Sequence, residues 1–383
     1  MRTSAPLALA AVLLLAACGG GSDGSSPSDT TPTPPPEYDF SAVEQEIDDF
    51  IAETPGIEGA GAVIVHRDHG VIFQRGFGAF EESRIYLLAS SSKMITAGVL
   101  MRLQDEGILD VNEPIIDAVP WGDANPTITP AQLVSNSSGL VGLGPNPTFG
   151  PYLCQYIYSG SLQDCGRQIF TTAGDDDMVI PPDTEFRYGG GQWQVAGAVA
   201  EIVSGKSWEQ LIRETYVEPC GLETLGFNNH FVQLVSEAGL FSYPTAFASD
   251  PANLQPTANP NMEGGAYASI GDYGKLLLMH LRGGLCGENR VLSEEAVRQM
   301  HEDRIGAAYD GSTGGGWGGY GLGWWVDREG GNVVDPGAYG AFPWLDEERG
   351  YGAFLAMEAT SAHGAVLYER TVDLIEQAID GAE

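Results

Sequence analysis

Three serines in a row, Ser90, Ser91 and Ser92, run directly into Lys93, and an apolar segment follows: Met94, Ile95, Ala97, Val99, Leu100 and Met101. A serine hydroxyl is a weak nucleophile until a base takes its proton. Ser90 is the one of the three with a lysine three residues on. That spacing is close to one helical turn, so the two side chains share a face if the segment Ser90–Glu106 is helical. Ser91 and Ser92 are left as caps. A helix apolar nearly all round is a buried helix. An amine carried into it is desolvated, which favours its neutral form, and a neutral lysine can accept the serine proton. The helix N-terminus adds free N–H groups and positive potential, which suits an oxyanion forming at a carbonyl. The chemistry on offer is acyl transfer through Ser90. The competing reading is that Lys93 snorkels to water and the serines merely cap a helix.

Such residues need a frame. Phe40, Val43, Ile47, Phe50 and Ile51 recur at helical spacing, with Ser41 a cap and Pro55-Gly56 a stop. The run from Gly61 to Gly78 reads as two strands around a turn at Asp68–Gly70. Far along the chain, two further strands surround a turn at Glu347–Gly350, and Val366–Ile379 reads as a closing helix. Between them, from about 113 to 263, loops and helices dominate. The expected fold is α+β: an antiparallel sheet flanked by N- and C-terminal helices, with a mostly helical insertion. The sheet-bearing part takes about 38–112 and 264–383.

In order along the chain, "LLASSSKMITAGVLMRLQDEGILDVNEPI", "TITPAQLVSNSSGL", "FRYGGGQWQVAGAVAEIVSGKSW", "EGGAYASIGDYGKLLLMHLRGG" and "YGLGWWV" resemble the serine β-lactamase-like superfamily. Class C β-lactamases, D-alanyl-D-alanine carboxypeptidases and family VIII esterases belong to it. The resemblance runs from about Phe40 to the C-terminus and implies the fold just inferred, with an active site between sheet and helical parts. It implies that Ser90 is the nucleophile and that Tyr188, in the place of the family's Y-x-N tyrosine, shares proton transfer with Lys93. Gly190 stands where the asparagine is usual and offers no side-chain amide; Gln192 is a candidate replacement. The family's third element, K-T-G or H-x-G on a strand beside the nucleophile, corresponds to Asp335-Pro336-Gly337. There Gly337 would admit the substrate, and the Ala338 N–H would join that of Ser90 as the oxyanion donors. An acidic Asp335 in place of a cation would repel a substrate carboxylate, which points to neutral esters or amides.

The remaining features bound the setting. Acidic residues number 52 against 18 basic ones, three of them lysines, for a formal net charge of −34. Nucleic acid and anionic lipid are thereby set aside as partners. Met1-Arg2 and an apolar run ending in Leu15-Ala16-Ala17-Cys18 resemble a bacterial lipoprotein signal. Residues 1–17 would be removed, Cys18 lipidated, and the chain tethered by the Gly/Ser/Thr/Pro-rich residues 18–37, facing the periplasm from the outer membrane. The formal G-x-S-x-G at Gly20–Gly24 has no strand or helix beside it and is rejected as a nucleophile elbow. Four further cysteines in an exported chain suggest disulfides. Three pairings are possible, with Cys154–Cys165 and Cys220–Cys286 favoured. Histidine and cysteine spacings match no metal motif, and no cofactor is expected. Asp175–Asp177 reads as a solvated acidic loop and the glycine-rich Ser312–Gly323 as a mobile loop near the cleft.

The sequence thus leads to a serine hydrolase acting on a small ester or amide through an acyl-enzyme, most simply a carboxylesterase related to β-lactamases. A D-amino-acid peptidase or weak β-lactamase is the enzymatic alternative. An envelope binding module that keeps the fold without turnover is the non-enzymatic one.

Overall fold

The computed structural model describes residues 36–144, 146–235 and 239–382. The signal segment, Cys18 and all but the end of the proline-rich tether lie outside the described residues. From Glu37 onward the chain forms one compact unit.

Its frame is a seven-stranded antiparallel sheet. The strands are β1 (Gly59–His66), β2 (Gly70–Gly78), β3 (Gly318–Tyr320), β4 (Trp325–Asp327), β5 (Val333–Val334), β6 (Phe342–Asp346) and β7 (Tyr351–Ala356), in the order β2-β1-β7-β6-β5-β4-β3. The chain's first two strands therefore pair with its last, as in Val63 opposite Phe354. Every inner residue of β1 is buried, which shows that both faces of the sheet are covered. Alternation sorts them: Ala60, Ala62 and Ile64 join Val43, Ile47, Phe50, Leu367 and Ile375 on one side. Val63 and Val65 join Ile270, Tyr273 and Leu277 on the other.

The first face is covered by α1 (Ser41–Glu53) and, at the other end of the chain, the helix Ser361–Asp380. Ser41 turns out to be the first helical residue of α1 and not its cap. The N-cap is Phe40, which makes no side-chain cap bond, and the Asp39 carboxylate just before it accepts the Ser41 N–H at 3.0 Å. The closing helix starts five residues before Val366, because the polar turn from Ser361 continues the same coil. The second face carries Ile270–Leu281, held close by Gly274, where a Cβ would lie 2.8 Å from Val63 Cγ2.

Behind that helix runs α2 (Lys93–Asp105), with ten of its residues buried from Lys93 to Leu103. Residues 113–263 supply helices and loops around it, chiefly α3 (Gly191–Ser204), plus a two-residue strand, Gly226–Phe227, paired with Ala266–Ala268. The glycine-rich segment corrects the sequence reading: Gly318–Tyr320 is the sheet's edge strand β3, with Tyr320 buried, and not loop throughout. Asp175 is likewise buried, its carboxylate bound by the Tyr152 hydroxyl, so that loop is not wholly solvated. Disulfides join Cys154 to Cys165 and Cys220 to Cys286. Among the described residues no helix is long and apolar enough to cross a membrane.

Candidate active site

Residues 89–92 form a 3-10 turn that leads into α2. Ala89 sits at φ +47°, a conformation an alanine adopts only when its surroundings impose it. The three serines then divide. Ser92 Oγ donates to Ala89 O at 2.6 Å and accepts the Ala266 N–H at 3.0 Å, locking the turn to the short strand beside it. Ser91 Oγ donates to Asp335 O at 2.5 Å, tying the turn to the segment between β5 and β6. Both are fully buried. Ser90 remains partly exposed, and its Oγ accepts a hydrogen bond from Lys93 Nζ at 3.1 Å.

Lys93 does not snorkel; it is 0% exposed. Its Nζ also donates to Glu263 O at 3.1 Å, lies 3.5 Å from Glu263 Oε2, and sits 4.6 Å from the Tyr188 ring centroid and 5.6 Å from that of Trp193. Burial pushes the amine down, as the sequence reading assumed, while Tyr188, Glu263 and Asp335 push it up and leave it raised overall.

Burial raises the Tyr188 pKa, and Lys93 and Ser90, which face its phenol, offset part of the rise. Its ring packs on Trp325 at 5.0 Å between centroids. The segment is braced by Asn136, a buried residue at φ +58° whose Oδ1 accepts the Gly189 N–H at 2.9 Å and Trp193 Nε1–H at 2.8 Å. Gly190, at φ +81°, caps α3 and donates its N–H to Glu263 Oε2 at 2.9 Å.

Three expectations fail on geometry. Gln192 cannot replace the missing asparagine amide: it is fully buried, its Nε2 donates to Arg187 O and Gly189 O, and its Oε1 accepts from Ser138 Oγ. Asp335 cannot repel a substrate: it is fully buried and turned inward, Oδ2 accepting the Met94 N–H at 3.2 Å, and burial raises its pKa well above the carboxylate range. Gly337 and Ala338 do not lie on a strand. They stand in the β5–β6 connection, closed by Gly337 N–H to Ala341 O at 2.8 Å and Gly340 N–H to Gly337 O at 3.1 Å. A Cβ at Gly337 would come within 2.3 Å of Leu88 O, so glycine is what lets this connection reach the serine turn.

Glu263 and Asn136 were missed as site residues. Glu263 carried one signal, an acid inside the otherwise uncharged "NPNMEGGAYAS"; Asn136 carried none beyond its place in a family-like segment. A cavity of about 640 Å³ adjoins Tyr188, lined by Val141, Ile180, Phe186 and Trp325 together with Asp177 and Glu185. A larger one of about 970 Å³, around Trp208 and Tyr267, contains none of these residues and is remote from the chemistry. Among the described residues no group of His, Cys, Asp and Glu is placed to hold a metal ion.

The family model described as Beta-lactamase matches residues 45–377. Penicillin-binding protein 4 of Amycolatopsis lactamdurans is 26% identical over 263 residues, 63% of this chain and 61% of its own length. The chain thus spans less than two thirds of the first curated relatives it matches. Among solved structures, EstCE1, "a hydrolase with promiscuous acyltransferase activity", superposes with a TM-score of 0.68 at 19% identity, covering 89% of this chain and 98% of its own. The octameric penicillin-binding protein homologue from Pyrococcus abyssi does so with a TM-score of 0.60 at 21% identity, covering 88% and 77%. At these identities the structural likeness speaks to the fold.

Proposed function

As the chain belongs to the beta-lactamase family, we propose that it is a serine hydrolase that cleaves neutral esters or small amides through an acyl-enzyme on Ser90. One observation carries the reading: of three adjacent serine hydroxyls, the single partly exposed one meets Lys93 Nζ, and the Tyr188 ring lies 4.6 Å from that same nitrogen.

The reactive form is the Lys93–Tyr188 pair short of one proton. Ser90 Oγ attacks the carbonyl carbon as its proton passes to the pair, and the carbonyl electrons move to oxygen. The N–H groups of Ser90 and Ala338 receive that oxyanion. Collapse expels the alcohol or amine, which takes the proton from the pair. Water, deprotonated by the pair in its turn, releases the acid and restores Ser90.

Neutral substrates are favoured by the cavity beside Tyr188. It is lined by Val141, Ile180, Phe186 and Trp325 beside the acids Asp177 and Glu185, and the Arg187 guanidinium lining it is spent on Gly139 O, Met178 O and Glu185. An incoming carboxylate would find no free cation there. The export reading stands with this proposal: a lipoprotein held by Cys18 at the outer membrane and acting in the periplasm.

A substrate panel tests it. Short-chain nitrophenyl esters should be turned over by the full chain and not by Ser90→Ala, whereas D-alanyl-D-alanine peptides should be poor substrates. Preferential release of D-alanine would replace the esterase reading with a peptidase. Loss of neither activity in Ser90→Ala would remove Ser90 from the chemistry.

A further inference from the structure

The larger cavity, about 970 Å³, contains none of the residues around Ser90. Its size falls within the range of about 300–1,000 Å³ usual for small-molecule sites. Three aromatic side chains line it: Trp208, Phe227 and Tyr267. Trp208 and Phe227 meet edge to face at 5.5 Å between centroids. Tyr267 stands opposite Gly226 in the short-strand pairing, and a Cβ on Gly226 would come within 2.3 Å of the phenol oxygen, so the glycine makes room for that ring. Among these rings α3 places one carboxyl. Glu201 lines the cavity, is 8% exposed, and its Oε1 accepts the Trp208 N–H at 2.7 Å. Burial raises its pKa; the Trp208 N–H and the Gln163 side chain oppose the rise, and no cation does. The exposed Glu209 lines the cavity as a second acid. The two cations of the lining, Lys206 and Arg213, are held by acids outside it. Lys206 Nζ lies 2.7 Å from Glu214, and Arg213 lies 3.2 Å from Glu218 and 3.6 Å from Glu214.

We propose that this cavity binds an organic cation, a protonated amine on an aromatic body, with the ammonium against Glu201 and the body against Trp208, Phe227 and Tyr267. The proposal is independent of the chemistry at Ser90. A buried carboxylate without a countercharge is costly, and an incoming ammonium supplies that countercharge while donating to an oxygen. The faces of the three rings attract the same charge through their quadrupoles. An anionic ligand would meet two acids and no cation without an acid of its own. A neutral ligand would gain the rings but leave Glu201 without a countercharge. The formal charge of −34 on the whole chain also draws cations toward the surface.

Isothermal titration of the full chain with phenethylamine and tryptamine tests it, with phenethyl alcohol and tryptophol as the uncharged counterparts. The amines should bind saturably at a single site, about 10- to 100-fold more tightly than the alcohols. Glu201→Gln keeps an oxygen for the Trp208 N–H and removes the charge. It should weaken the amines by the same factor and leave the alcohols as they were. Phe227→Leu is a second variant that leaves the carboxyl in place, and it should weaken the amines by about two- to fivefold. Ser90→Ala should bind the amines as the wild type does, because the cavity holds none of that serine's surroundings. Amines and alcohols that bind alike would overturn the proposal, as would amine binding unchanged in Glu201→Gln. Amine binding lost in Ser90→Ala would place the amine in the cleft instead and overturn it too. So would the absence of saturable binding by either amine at millimolar concentration.

Discussion

The proposed reaction needs Lys93 or Tyr188 without its proton, and both groups are shifted upward from their ordinary values. The pair therefore titrates as a unit, and its apparent pKa belongs to neither residue alone. Both groups are shifted upward, so the active form gains population as pH rises. The kcat/KM for a neutral ester, corrected for spontaneous hydrolysis, should climb from pH 7 through the alkaline range; a profile already flat from pH 6 would contradict the assignment. The S-x-x-K spacing made Ser90 and Lys93 legible as a pair, since one helical turn fixes their adjacency. The surroundings of Lys93 were not legible, because Glu263 lies 170 residues away and is brought in by tertiary packing. Gln192 and Asp335 failed for a related reason. Chain position placed them near the site, but side-chain direction is decided by buried donors, Met94 N–H for one and acceptors at 187 and 189 for the other.

Among the elements, the hairpins β1–β2 and β6–β7 could be read from their apolar runs and turn residues, and α2 from its all-apolar surface. The strands β3, β4 and β5 could not. They are two or three residues long, glycine-rich at β3, and exist through pairing with one another and with β6. Also unread was the clamp that ties the segment before Tyr188 to the rest of the cleft. Asp183 accepts from Arg304 at 2.8 and 3.2 Å, from Ser137 Oγ at 2.8 Å and from Gln132 Nε2 at 2.7 Å. Burial works to raise its pKa, but Arg304 and the two polar partners outweigh it and hold the carboxyl below its ordinary value. A depressed pKa contributes stability that is present above the unfolded value, near 4, and lost as pH falls through the folded one. Asp183→Ala should thus cost about 2–3 kcal/mol at pH 7, and the deficit should shrink below pH 4. Urea unfolding at the two pH values checks it; an equal deficit at both would show that the charge plays no part.

At the scale of the whole molecule, the order of five motif-like segments carried more than any one of them, and the family match over residues 45–377 agrees with it. The two cross-links act at this scale as well. They close separations of 11 and 66 residues, which chain-entropy reasoning values at about 3 and about 4 kcal/mol. The acidic surface, −34 in formal charge, and the enclosed Lys93–Glu263 pair are separate matters: the first faces water and counterions, the second is shielded from both. What composition and motif order left open is the wall of the cleft, because Phe186 and Tyr188 meet there with Tyr320 and Trp325 from a stretch more than 130 residues further along the chain. The central claim is that Ser90, and neither neighbour, forms the acyl bond. Acid quenching of the full chain during turnover of a slow neutral ester, followed by intact mass and peptide mapping, addresses it directly. The account predicts a single acyl mass on Ser90 that is absent from Ser90→Ala; an acyl group on Ser91 or Ser92, or turnover with no acyl-enzyme in Ser90→Ala at the wild-type rate, would contradict it.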